Sequence, residues 1–136
     1  MKTLVVYYSR TGNTKEVAIK KAKEIGADLH EIKTPVKTKG FIGYMRCAFQ
    51  SLRQKKIPIN VPPNLSDYDR VVICTPVWAS KMSAPVYSFL KEYGKDIKTA
   101  EYVILHADKH NRYENVMDDM DKILGKKRIA GESIAK

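Results

Sequence analysis

The chain has 136 residues, of which 43% are hydrophobic and 29% are charged, values typical of a soluble globular protein. This length predicts a single domain, residues 1–136, with one apolar core. No apolar run approaches the roughly 20 residues that cross a bilayer, and no secretory segment precedes the first apolar run, so we expect no transmembrane segment and a cytoplasmic location. The formal net charge of +10 indicates attraction to acidic proteins, anionic membranes, phosphorylated cofactors or nucleic acid.

The first part of the chain predicts a strand, a loop, a helix and a second strand. Thr3 to Tyr8 is almost entirely apolar, which is typical of a strand covered on both faces. A helix then follows from about Asn13 to Gly26, with Gly26 as its stop. Asp28 to Ile32 alternates in polarity and predicts an edge strand, on which His30 faces solvent.

The middle of the chain is strongly basic. No acidic residue occurs from Ile32 to Ser66, so this segment is either a docking surface or a solvated basic surface. Within it, the apolar spacing predicts a helix from about Gly40 to Lys55 that packs on the sheet. Ile57 to Asp69 contains three prolines and predicts an extended connection with no helix inside it.

The second half of the chain continues to alternate between strands and helices. The predicted elements are a strand at Arg70 to Thr75, a loop at Pro76 to Ser83, a helix from Pro85 to Tyr93 that Gly94 stops, a strand at Glu101 to His106, a loop at Ala107 to Asn111, a helix from Arg112 to Leu124 that Gly125 stops, and a last strand within Arg128 to Ala135. This alternation predicts an α/β fold with a five-stranded parallel sheet covered by helices on both faces. For the strand order 2-1-3-4-5, ligands bind beyond the carboxyl ends of the first and third strands.

The two cysteines, Cys47 and Cys74, are far apart and belong to no Cys/His cluster, so we expect neither a disulfide framework nor a metal site. Cys74 lies in a predicted buried strand, where a thiol acts as a small apolar group. Packing is also the favoured role for Cys47, which lies beside Arg46 on the predicted basic helix.

The loop Ser9 to Thr14 has the composition of a phosphate-binding loop. Ser9, Thr11 and Thr14 supply hydroxyl groups, and one glycine allows a tight turn before the helix. We expect Asn13 to cap that helix together with Glu16, in a capping box. The alternative is a capped turn that binds nothing.

The sequence resembles the flavodoxin-like FMN-binding proteins. Two stretches carry the resemblance, Tyr8-Ser9-Arg10-Thr11-Gly12-Asn13-Thr14 and Thr75-Pro76-Val77-Trp78. It implies the three-layer fold of that family, FMN phosphate in the first loop, Trp78 against the isoalloxazine ring, and the loop Ala107 to Asn111 beside the ring. The implied cofactor-binding residues are Ser9, Arg10, Thr11, Gly12, Asn13, Thr14, Thr75, Pro76, Val77, Trp78, Ala79, Ser80, Lys81, Ala107, Asp108 and His110.

Several features depart from the family pattern. Members that carry single electrons commonly use a glycine in the loop after the third strand, whereas Trp78 to Met82 contains none. Because other residues resist positive φ, we expect more two-electron behaviour. Asp108 and His110 either contact the flavin or are solvated loop residues. Arg10 either pairs with the phosphate or points to solvent while backbone amides bind it.

Three functions are compatible with the sequence. The favoured one is an FMN-binding electron-transfer protein in which no residue is an acid or base catalyst. The second is an FMN-dependent NAD(P)H:quinone-type oxidoreductase that uses the same loops, and the third is a flavin-free basic interaction module. The expected partner is an acidic redox protein or a small-molecule electron acceptor. Specific nucleic-acid binding is disfavoured because no recognition motif accompanies the charge, and both a monomer and a homodimer are compatible with the sequence.

Overall fold

Helices cover a central sheet on both faces. The computed structural model of the chain describes residues 2–35 and 56–136. The strands are β1 (Thr3–Tyr7), β2 (Asp28–Glu31), β3 (Arg70–Trp78), β4 (Lys81–Met82), β5 (Ala100–His106) and β6 (Ala130–Ala135). The helices are α1 (Asn13–Ile25), α2 (Ala84–Tyr93) and α3 (Glu114–Leu124), with 3-10 turns at Leu65–Asp67 and Gly94–Asp96.

The sheet has the predicted parallel topology. Its strand order is β2-β1-β3-β5-β6, and every pair along that path is parallel. Only β4 lies off the path, where it pairs antiparallel with the end of β3. Apart from this short addition, the order is the predicted 2-1-3-4-5, so the sequence-based prediction of the fold is confirmed.

Apolar side chains on alternate positions of the central strands form two cores. One core packs against α1, through Ala18 and Ala22, and includes Val5, Tyr7, Val72, Cys74, Val103 and Leu105. The larger core packs against α2 and α3 and includes Leu4, Val6, Val71, Ile73, Tyr102 and Ile104. Cys74 is fully buried as predicted, and burial raises the pKa of its thiol to about 12.

The helix stops differ in their backbone conformations. Gly26 and Gly125 follow α1 and α3 in the left-handed conformation, as glycine permits at a helix end. Gly94 ends α2 as predicted, but its backbone is right-handed and continues into a 3-10 turn. A Cβ atom on Gly94 would lie 3.3 Å from Leu124 Cδ1. The close approach of Leu124, and not an unusual φ angle, therefore accounts for a glycine at this position.

One predicted segment was wrong, and one helix begins two residues later than the approximate start that was predicted. The connection from Ile57 to Asp69 contains a 3-10 turn at Leu65–Asp67, because the turn begins after the last proline and the Asn64 side chain accepts a hydrogen bond from the Ser66 N–H at 3.2 Å. Helix α3 begins at Glu114 and not at Arg112, since Tyr113 is left-handed with a φ of 52°.

His30 is half-buried on β2, which contradicts its predicted exposure to solvent. Its Nε2 atom is buried without a hydrogen-bond partner among the described residues, and burial lowers the pKa of the ring. The predicted helix Gly40 to Lys55, Cys47 and most of the basic segment lie outside the described residues. None of the helices in the described ranges has the length and apolar character needed to cross a membrane.

Candidate functional site

A cavity of about 170 Å³ lies at the sheet edge where β1, β3 and β5 end. The loop between β1 and α1, the end of β3 and the end of β5 all contribute to its wall. These are the three segments that were predicted from the sequence to meet at this edge of the sheet. The residues that line the cavity are Arg10, Thr11, Asn13, Thr14, Pro76, Val77, Trp78, Leu105, His106, Ala107 and Lys136.

The loop between β1 and α1 is shaped by Gly12. Its φ is 105°, a value that residues with a side chain rarely adopt, and its N–H donates a hydrogen bond of 2.9 Å to Ser9 Oγ. Ser9 and Gly12 thus close the loop and are not among the cavity-lining residues. The Ser9 hydroxyl accepts this bond and retains its own proton for a second partner.

The first turn of α1 has no side-chain cap. Gly12 occupies the capping position and has no side chain to accept a hydrogen bond, so the predicted capping box of Asn13 and Glu16 was wrong. Asn13 is instead the first residue of the helix and lines the cavity. The backbone N–H groups of this turn carry the positive end of the helix dipole toward the cavity.

Charge and hydroxyl groups surround this helix end. Arg10 and the exposed Thr11 line the cavity, as does Thr14, whose side chain is buried. Lys136 adds a second cation on the same wall. The uncapped helix end, two cations and two hydroxyl groups together make this part of the cavity suited to an anion.

The segment Pro76 to Ser83 is a β-hairpin, not the predicted open loop. Strand β3 continues to Trp78, which pairs with Lys81 of β4. The two residues between them, Ala79 and Ser80, have φ values of 51° and 59°, as in a type I′ turn. The expectation that this segment avoids positive φ because it lacks glycine was therefore wrong.

Trp78 forms the aromatic wall of the cavity. Its ring is half-buried, lies edge-to-face against Tyr8, and has its centroid 5.6 Å from the Tyr8 centroid with an interplanar angle of 88°. This arrangement is a favourable one for aromatic pairs. Tyr8 thus holds the Trp78 ring from the β1 side while the ring lines the cavity. Ala79, Ser80 and Lys81 are not among the cavity-lining residues.

Thr75 lies inside the base of the hairpin and does not line the cavity. Its side chain is fully buried, and its Oγ1 lies 2.9 Å from Ser83 Oγ and accepts a 3.1 Å hydrogen bond from the Ser83 N–H. Because Ser83 is engaged in this way, it makes no side-chain cap for α2. Thr75 therefore joins the two ends of the hairpin.

The loop after β5 contributes Ala107 to the cavity, but not Asp108 or His110. Those two side chains are exposed, and Asp108 Oδ1 accepts a hydrogen bond of 2.9 Å from the His110 N–H. The loop thereby folds on itself as an Asx turn.

His106 and Lys136 line the cavity although they were not predicted to do so. His106 is 9% exposed, its Nε2 lies 2.7 Å from Ser133 Oγ, and its Nδ1 is buried without a hydrogen-bond partner among the described residues. The Lys136 N–H donates a 2.7 Å bond to the His106 carbonyl, which brings its side chain to the cavity and within 3.1 Å of Glu16. The parallel pairing of the last two strands, β5 and β6, is the feature from which their proximity could have been predicted.

The sequence model of one protein family, flavodoxin, matches residues 2–109 of the chain. The chain belongs to the flavodoxin family. The strand order and the position of the cavity beyond β1 and β3 agree with this membership. No curated protein matches the chain.

Solved structures show the same fold. A flavoprotein from Lactobacillus acidophilus NCFM in complex with FMN has a TM-score of 0.79 at 22% identity, over 98% of this chain and 93% of that one. A candidate flavoprotein from Bacteroides uniformis ATCC 8492 has a TM-score of 0.86 at 19% identity, over 98% and 88%. A flavodoxin from the domain Archaea has a TM-score of 0.63 at 15% identity, over 100% and 85%.

The Thr75 contacts predict a specific stability effect. Thr75→Val removes the acceptor for the buried Ser83 N–H, so we expect the free energy of unfolding to fall by about 1–3 kcal/mol. Thr75→Ser keeps the hydroxyl group and should cost less. Urea unfolding of both variants measures the difference, and equal losses would contradict a hydrogen-bonding role for Thr75.

Proposed function

We propose that this flavodoxin-family chain binds FMN at the carboxyl edge of its sheet and acts as an electron-transfer protein. One observation carries the proposal: an uncapped helix end and an aromatic ring line the same cavity. FMN has a phosphate group at one end and a flat conjugated ring at the other. When bound, FMN supplies the electron-accepting and electron-donating chemistry, and the protein binds and orients it.

The residues around the start of α1 fit a phosphate group. The uncapped amides of the first turn and the hydroxyl groups of Thr11 and Thr14, which line the cavity, would bind its oxygens. Arg10, which lines the cavity, would add a charge-assisted hydrogen bond. In this assignment the backbone sets the position of the phosphate, and Arg10 adds affinity.

The opposite wall of the cavity fits a flat ring. Trp78, Pro76 and Val77 provide apolar surface that would exclude water from one side of the isoalloxazine. His106 also lies in this wall of the cavity. The Lactobacillus flavoprotein, which binds FMN on the same fold, supports the assignment.

The size of the cavity that the described residues form is compatible with an electron carrier. Its volume of about 170 Å³ is below the range of roughly 300–1,000 Å³ typical of pockets that enclose small molecules. Part of the flavin would therefore remain at the protein surface, where a partner protein could approach it. The net charge of +10 favours an acidic partner, and a cytoplasmic location is part of this proposal.

Binding of FMN should depend on its phosphate and on Gly12. We expect riboflavin, which lacks the phosphate, to bind at least about tenfold more weakly than FMN, because one charge-assisted hydrogen bond contributes about 1.5–3 kcal/mol. Gly12→Ala should weaken FMN binding, since alanine resists the φ of 105°. Flavin fluorescence quenching on titration with the apoprotein measures both effects.

Gly26→Ala is the matched control for this experiment. Gly26 also has a positive φ, and nothing lies within 4 Å of a Cβ atom there or at Gly12, but it follows the opposite end of α1. Both substitutions should lower the free energy of unfolding by about 1 kcal/mol, and only Gly12→Ala should change the affinity for FMN. Equal affinities for FMN and riboflavin would overturn the proposed site.

A carrier should not oxidise nicotinamide cofactors by itself. We expect the FMN-loaded protein to show no sustained oxidation of NADH or NADPH in the presence of a quinone, but to pass electrons to a haem protein after chemical reduction. Steady-state absorbance at the nicotinamide band tests the first statement, and stopped-flow absorbance at the haem bands tests the second. Steady turnover with NADH or NADPH would indicate the reductase function instead.

A further inference from the structure

The turn at the tip of the β3–β4 hairpin is strained. Ala79 and Ser80 both have positive φ, a strained conformation that residues other than glycine rarely adopt. Two-residue turns of this kind usually contain Asn-Gly or Asp-Gly. Neither Ala79 nor Ser80 is a glycine, which would adopt positive φ without strain. Contacts with neighbouring residues must therefore help to keep the turn in place.

Helix α3 supplies two such contacts. Asn115 Nδ2 donates a hydrogen bond of 3.3 Å to the Ser80 carbonyl, and the Asp119 carboxylate lies 3.5 Å from Lys81 Nζ. The side chains of Lys81 and Asp119 are 33% and 26% exposed, so this ion pair is only partly screened by water. Asn115 and Asp119 are four residues apart and lie on one face of the helix.

Trp78 links these contacts with α3 to the cavity. Lys81, which Asp119 holds, pairs with Trp78 across the hairpin. The Thr75–Ser83 hydrogen bonds fix the base of the hairpin, and the α3 contacts fix its tip. Trp78 lies between these two points and lines the cavity.

We propose that Asn115 and Asp119 are positioning residues that set the orientation of Trp78 by holding the strained turn against α3. The consequence for cofactor affinity rests on the proposed function, in which Trp78 flanks the flavin. The orientation of Trp78 itself does not depend on FMN. Loss of both contacts lets the turn relax and the Trp78 ring move away from the cavity wall.

Trp78 is the only tryptophan of the chain, so its fluorescence reports on this position alone. In the apoprotein, we expect the double variant Asn115→Ala/Asp119→Asn to increase acrylamide quenching of Trp78 and to shift its emission to longer wavelength. In the FMN titration, the same variant should raise the Kd about five- to tenfold, in line with the loss of two partly exposed polar contacts.

Asp118→Asn is the matched control. It makes the same chemical change one position earlier on α3, where the carboxylate pairs with Arg128 at 3.2 Å and not with the hairpin. This variant should leave Trp78 quenching and the Kd for FMN at their wild-type values. A change equal to that of the double variant would indicate a general effect on α3 and would overturn the proposal.

Ser80→Gly provides a rescue, because glycine adopts positive φ without strain. Added to the double variant, it should return Trp78 quenching and the Kd for FMN toward the wild-type values. Failure of this rescue, or unchanged Trp78 quenching in the double variant, overturns the positioning role. If the wild-type protein binds no FMN while the quenching pattern is as expected, the proposed function fails and the positioning role stands.

Discussion

The parallel pairing of β1, β3 and β5 is the constraint on which the site depends. Tyr7, Cys74 and Val103 lie side by side across these strands, and all three are buried. Because the strands run in the same direction from this row, their carboxyl ends reach one edge of the sheet. The loop before α1, the hairpin and the end of β5 meet there for that reason.

The burial of both sheet faces makes this register strict. A shift of one residue would turn the apolar side chains of one face toward the helices of the other, and Cys74 would leave the core that packs on α1. The same register carries β6 beside β5 and places Lys136 next to His106. Lys136 thus adds a cation to the cavity wall, although it lies 120 residues along the chain from Glu16, its ion-pair partner.

The walls of the cavity differ in how they are held. The side that we propose binds the phosphate depends on backbone geometry, chiefly the positive φ of Gly12 and the uncapped first turn of α1. The aromatic side depends on side-chain contacts, because Trp78 is supported by Tyr8 and by a hairpin tied at Thr75 and Ser83. A substitution in the loop before α1 should therefore affect phosphate binding, and a substitution in the hairpin should affect ring binding.

Much of the fold and of the site could be predicted from the sequence. The buried strands and their alternation with helices predicted the parallel sheet, and Ser9 to Thr14 marked the loop between β1 and α1, which we propose binds the phosphate. The hairpin could not be predicted, because Ala-Ser is not one of the residue pairs typical of a two-residue turn and tertiary contacts hold this turn in place. The predicted Asn13 cap was wrong because Gly12 turns the chain before the helix begins. The positions of His106 and Lys136 at the cavity depend on the register of the last two strands, which the identity of single residues does not reveal.

The most direct test of the account is a crystal structure of the chain grown with FMN. We expect the phosphate group within hydrogen-bond distance of the amides in the first turn of α1, and the isoalloxazine ring in contact with Trp78 at the end of β3. A flavin bound elsewhere, or one bound here with its phosphate turned away from α1, would contradict it.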